Sequence, residues 1–213
     1  MPILGGRHKG GVAALAAAVC LMATLQGVEA LEPLKGEEAA IKACDKRLCT
    51  LLTQKNPKGE DLKCALTKTW AKSKIKEAET SKLTWGYGDA RCSVDIDISR
   101  AAVLEAMAAD DKKFRAPPHT ANCVVESDGK LEKVTAVLAP RITFKDGKAE
   151  KVWINLKEVD GPATIKATLY TAAELADRLG LFHKRMVKAV NRYIEKHCPN
   201  EFPEVASRSK PAK

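Results

Sequence analysis

Asp95 and Asp97 are the side chains whose spacing first suggests chemistry. They stand two apart in Arg91–Ile98, where polar and apolar residues alternate, so both fall on one face of a strand. Two carboxylates placed this way can run acid–base hydrolysis or hold a cation. Arg91 stands close by, and a charged outer face accounts for the pair more simply. His119, His183 and His197 form no zinc-protease pattern, and the chain has no Gly-x-Ser-x-Gly and no phosphate loop. No catalytic residue, metal site or cofactor is assigned. A secreted hydrolase using Asp95 and Asp97 is the alternative, not the expectation.

Binding has more support than catalysis. Trp85-Gly86-Tyr87-Gly88-Asp89 sets two aromatics among glycines, a composition that can present flat rings to a sugar or an apolar ligand. A hairpin whose rings fill the edge of a core explains the same residues. Trp153 falls on the polar face of its strand and is the better candidate for an accessible ring, although the helix from Ser99 to Ala109 could equally cover it. Lys184, Lys188, Arg192 and Lys196 recur every four residues and make a basic ridge along one helix. Such a ridge is a solvated face with cations near a helix C-terminus, or an anion site for an acidic envelope component or a protein partner.

The same helix belongs to Thr171–Ile194, where Ala176, Gly180, Met186 and Ala189 have helix-turn-helix spacing. The stretch Thr-Ala-Ala-Glu-Leu-Ala-Asp-Arg-Leu-Gly-Leu from Thr171 resembles the corresponding segment of many helix-turn-helix repressors, over about a tenth of the chain. The resemblance implies that His183, Lys184, Arg185 and Lys188 face a DNA major groove. An amphipathic helix pair broken at Gly180 explains it too, with Leu179, Phe182, Met186, Val190, Tyr193 and Ile194 packed on a sheet. Export, argued below, disfavours nucleic acid as a partner.

These residues need a scaffold, and the centre of the chain supplies it. From Thr120 to Val159 the sequence reads as antiparallel strands with Asp-Gly turns: Asn122–Ser127 to Lys130–Ala139 across Asp128-Gly129, and Arg141–Lys145 to Ala149–Val159 across Asp146-Gly147. Ile142 and Phe144, and then Val152, Ile154 and Leu156, fall on one face, so one side of the sheet is packed and one is wet. Leu62–Trp70 and the pair Leu83–Tyr87 and Arg91–Ile98 add strands, and Thr164–Tyr170 alternates as a further one. Helices are expected over Glu37–Thr53, over Lys72–Thr80, from a Ser99 cap to about Ala109, and from the Thr171/Glu174 capping box to about His197 with a break at Gly180. Ala116-Pro117-Pro118 reads as a linker. The fold expected is α+β, an antiparallel sheet of five to seven strands covered on one face by N-terminal and long C-terminal helices and stapled by disulfides.

The chain has 213 residues and a formal charge of +9. That length suits one domain with a substantial core. Arg7 and Lys9, the apolar Gly11–Leu25 and the small residues of Val28-Glu29-Ala30 read as a secretion leader over 1–30, with no membrane span remaining after cleavage. The expected mature protein is a single domain over 31–198 with a loose tail over 199–213, periplasmic or secreted. It keeps six of seven cysteines: Cys44, Cys49, Cys64, Cys92, Cys123 and Cys198. An even set in an exported chain implies disulfides. Cys44 and Cys49 are badly placed to join each other on one helix, and the expected pairs are Cys92–Cys123, Cys49–Cys64 and Cys44–Cys198. Lys42–Lys82 holds eleven basic residues against five acidic ones, so the positive charge lies on the helical layer. The function expected is that of an exported, non-enzymatic binding or envelope-associated protein with an apolar or anionic ligand or partner.

Overall fold

The computed structural model describes residues 30–207 apart from 55, 57, 78, 80–83, 109–111, 179 and 181–182. The expected leader up to residue 29, Leu83, Ala109, Leu179, Phe182 and the last six residues of the tail lie outside the described residues.

The first helix, α1 (Glu37–Gln54), buries Cys44, Cys49, Leu51 and Leu52. It lies against β1 (Leu62–Trp70), the edge of a five-stranded antiparallel sheet. A short exposed helix, α2 (Lys72–Lys76), precedes β2 (Ala90–Ile98), which pairs with β1 so that Leu62, Cys64 and Leu66 sit opposite Ile98, Ile96 and Val94. Ser99 accepts a hydrogen bond from the Ala102 amide at 3.4 Å at the start of α3 (Arg100–Ala108), where the capping residue was expected. The next strand, β3 (Lys113–Arg115), joins a second sheet.

The chain then returns to the first sheet through β4 (His119–Ser127) and β5 (Lys130–Leu138). Their turn, Asp128-Gly129, has φ of +50° and +73°, the paired left-handed conformation that a two-residue hairpin needs. The next hairpin, β6 (Arg141–Lys145) to β7 (Lys148–Trp153), repeats that geometry at Asp146-Gly147. It does not extend the main sheet. With β3 it forms a separate three-stranded sheet, leaving the first at Ala139-Pro140.

Ala149–Val159, expected as one strand, is two. Asn155 has φ of +51° and divides it into β7 and β8 (Leu156–Asp160), and β8 returns to pair with β5. Asp177 stabilises the kink by accepting hydrogen bonds from the Ile154 and Asn155 amides at 2.8 and 2.7 Å. The Asn155 side-chain amide donates to the Ala139 carbonyl at 2.7 Å.

Thr164–Tyr170 is not a strand. It belongs to α4 (Ala163–Asp177), which begins after Pro162 and buries Ile165 and Ala176. Over seven residues Ile165, Ala167 and Leu169 alternate, but over fifteen Ile165, Leu169, Ala172 and Ala176 keep helical spacing, and the longer pattern prevails. The helix therefore starts at Ala163 and not at Thr171. The described residues Thr84–Asp89 form no strand either. Gly88 and Asp89 are bound through Glu126: the Gly88 amide donates to its carbonyl at 2.8 Å and the Asp89 amide to its carboxylate at 3.2 Å.

After Gly180, at φ of +63°, comes α5 (His183–Arg192), laid on β7. It runs into a π-helical turn at Tyr193–His197, where the Cys198 amide reaches the Tyr193 carbonyl. The expected loose tail is instead helical as far as it is described: α6 (Cys198–Glu201) and α7 (Pro203–Ser207) fold back on α1. Phe202 and Val205 are buried beside Cys49 and Cys198, which gives this segment a core contact that a polar composition concealed.

Three disulfides staple the α+β fold. Cys92–Cys123 joins directly opposed residues of β2 and β4, as expected. The other two exchange partners relative to the expectation: Cys44 joins Cys64, and Cys49 joins Cys198. Five positions along a helix turn Cys44 and Cys49 to different sides, and Cys44 is the one that meets β1.

Candidate ligand cavity

The apolar interior is divided. One cluster lies between α4 and the β4–β5–β8 end of the main sheet. The larger one lies between α1, α3, α5, the β1–β2 end and the three-stranded sheet. Within this second cluster the side chains leave a cavity of about 410 Å³. Leu48 and Leu52 of α1 form one wall, and Ile98 and Val103 the end beneath α3. Phe114, Ile142 and Phe144 come from the three-stranded sheet. Ala189, Val190, Tyr193 and Ile194 come from α5 and the π-helical turn. The alternation expected for Arg141–Lys145 does aim Ile142 and Phe144 at one side. That side faces an unfilled space.

Among the described residues Tyr193 brings the only polar side-chain group to this lining, and its hydroxyl is already engaged. It donates to Asp45 Oδ1 and lies 3.5 Å from Cys49 Sγ. Asp45 Oδ2 accepts from His197 Nε2 at 2.7 Å, and the His197 ring stacks on Tyr193 with centroids 4.9 Å apart. Burial, with the hydrogen bond and negative charge of Asp45 added, raises the Tyr193 pKa well above its ordinary 10.0. The phenol therefore stays a donor and does not act as a base. Both Asp45 oxygens are taken, so the cluster fixes the orientation of the Tyr193 ring. The π-helical turn allows this by placing two aromatic side chains of one helix against the same carboxylate.

The sequence candidates separate. Lys184, Lys188, Arg192 and Lys196 are all exposed, on the helix that walls the cavity. Trp85 and Tyr87 lie in the other core cluster, edge to face with centroids 5.0 Å apart. Trp85 Nε1 donates to the Gly88 carbonyl at 2.8 Å, and the Tyr87 hydroxyl shares a hydrogen bond with Thr168 at 3.0 Å. Both rings are packing groups of that cluster. Trp153 is half-buried under the Arg141 guanidinium, 5.3 Å from the ring centroid, and near His183 rather than α3. None of the three aromatics lines the cavity.

Asp95 and Asp97 are exposed on the opposite face of β2, and Asp97 pairs with Lys63 at 3.2 Å. The neighbouring His119 accepts from the Asp97 amide at 3.0 Å through Nε2 and bonds the Pro117 carbonyl through Nδ1, so neither nitrogen is free. Among the described residues no three His, Cys, Asp or Glu side chains gather as metal ligands would. The two helices of the repressor-like stretch lie on different strands, α4 on β8 and α5 on β7.

Asp45, Tyr193 and His197 were not singled out together in the sequence. Asp45 follows Cys44 and His197 precedes Cys198 in the chain, a signal that becomes informative only when Cys49 is known to join Cys198, and Tyr193 carries no such signal. Comparison with known protein families, characterised proteins and solved structures finds no match to this chain.

Proposed function

We propose that this is an exported, non-enzymatic binding protein whose ligand is an apolar molecule seated between α1, α5 and the three-stranded sheet. The observation that carries the reading is the cavity: about 410 Å³, lined by aliphatic and aromatic side chains, with its single polar group turned outward to Asp45. That size falls within the range of small-molecule sites, roughly 300–1,000 Å³. A hydrocarbon there gains about 0.8 kcal/mol for each methylene removed from water and needs no hydrogen bond from the wall. Export is supported by three disulfides and by the leader-like composition of residues 1–30. Among the described residues no helix is long and apolar enough to cross a membrane.

The test is displacement of a polarity-sensitive dye by 1-dodecanol, an uncharged chain. Saturable displacement is expected from the native protein. Ala189→Trp, a substitution at an exposed lining residue, should abolish it without lowering thermal stability. Absence of displacement, or displacement equal in the two proteins, would remove this reading.

A further inference from the structure

We infer that the ligand is a single-chain amphiphile with an anionic head, its hydrocarbon in the cavity and its head on the basic surface of α5. This deepens the reading above and rests on it.

Among the described lining residues Ala189 is the most open to solvent, which puts the flank of α5 where the cavity comes nearest the surface. On a helix surface the neighbours of Ala189 one turn away are Arg185 and Arg192, and both are exposed. Lys188 stands beside them, and Lys196 is one turn beyond Arg192. Among the described residues none of these cations has a carboxylate within 4 Å, nor has Lys184. The one acid in this stretch, Glu195, pairs with Lys148 of β7 at 2.9 Å.

A solvated helix face commonly intersperses glutamate at these spacings, because like charges four residues apart repel and weaken the helix. Lys184, Lys188, Arg192 and Lys196 accept that repulsion three times over. A bound anion relieves it. A neutral hydrocarbon would fill the cavity and ignore the ridge, whereas a polyanion would cover the ridge and ignore the cavity. A molecule with one apolar and one anionic end uses both at the point where they adjoin. The head is a carboxylate or a phosphate monoester, since an exposed arginine pair takes either.

The experiment compares 1-dodecanol, dodecanoate, dodecyl phosphate and inorganic phosphate on the full, oxidised chain. At low ionic strength at least one charged amphiphile should bind about tenfold more tightly than dodecanol, a margin expected of two exposed charge contacts. High salt and the double variant Arg185→Gln with Arg192→Gln should each erase the margin and leave dodecanol affinity unchanged. The head that gains more identifies its chemistry. Equal binding of dodecanol and both charged chains, or a margin that survives the double variant, overturns the inference and leaves the cavity reading intact. Binding of inorganic phosphate as tightly as dodecyl phosphate also overturns it, because the ridge would then act without the cavity. If no chain binds at all, both readings fall together.

Discussion

Glu37 opens α1 with its carboxylate turned inward, and it is the only charged side chain buried among the described residues. It accepts from the Thr69 amide at 2.7 Å, the Thr69 hydroxyl at 2.8 Å and the Leu34 amide at 3.3 Å, with Lys68 at 3.7 Å. Burial pushes its pKa up, but these hydrogen bonds and the lysine outweigh burial and hold it below the usual 4.5. The folded state therefore binds fewer protons than the unfolded one in the acid range. The stabilisation is complete above about pH 4.5 and is lost as pH falls through the lower, folded-state value. Glu37→Gln should flatten this acid limb of the stability curve. Glu37→Ala, which leaves the Thr69 donors unpaired, should cost about 1–3 kcal/mol in urea unfolding at neutral pH.

Tyr193 has the opposite sign. Its phenol is held neutral, so its contribution is intact below about pH 10 and is lost as pH rises towards the elevated folded value. Tyr193→Phe keeps the ring on the cavity wall and should remove this part of the alkaline loss, read as the slope of melting temperature against pH. An unchanged slope would mean that the phenol is solvated. At this scale the sequence was informative where the cause is local: Asp-Gly turns and the Ser99 cap depend on residues next to each other. Asn155 was opaque because its positive φ is held by Ala139 and Asp177, which are distant in the chain.

Among the elements, α1 shows how far spacing reaches. Cys44 and Cys49 had to diverge, but which of them met β1 depended on how the helix rotates on the sheet. That rotation is set by long-range packing, so the partners came out exchanged. The consequence extends to α6 and α7, whose Phe202 and Val205 pack where Cys198 is tied. Replacing Cys49 and Cys198 together by serine should cost about 2–5 kcal/mol and open Cys198–Ser207 to limited proteolysis. The double serine variant of Cys92 and Cys123 should leave that segment protected, because β2 and β4 remain paired from Ala90 to Val94 against Ala121 to Val125 and lie away from it. Equal protection in both variants would mean that Phe202 and Val205 hold the segment unaided. The α+β class is legible because hairpin alternation and Asp-Gly turns mark β4, β5 and β6 locally. The strand read into Thr164–Tyr170 failed because seven residues satisfy two periods at once.

For the molecule as a whole, the chain crosses between two sheets at Ala139-Pro140 and again at Asn155, and the space between them is closed by α1, α3 and α5. The apolar residues of that space were legible as core. Its incomplete filling was not, since the same leucines and phenylalanines would encode a solid interior. A cavity left by imperfect packing and one kept for a ligand differ in how they respond to being filled. Val190 lines the space and is only partly buried, so Val190→Phe should occupy part of it and raise stability by roughly 0.5–2 kcal/mol. On the native protein a saturating chain alcohol at a hundred times its dissociation constant should add about 2.7 kcal/mol by linkage. The two effects should compete. The filled variant is expected to be more stable alone and to gain little from the alcohol. A variant that gains as much as the native protein would place the alcohol elsewhere, and one that is both less stable and unresponsive would indicate a wall too rigid to accept the ring.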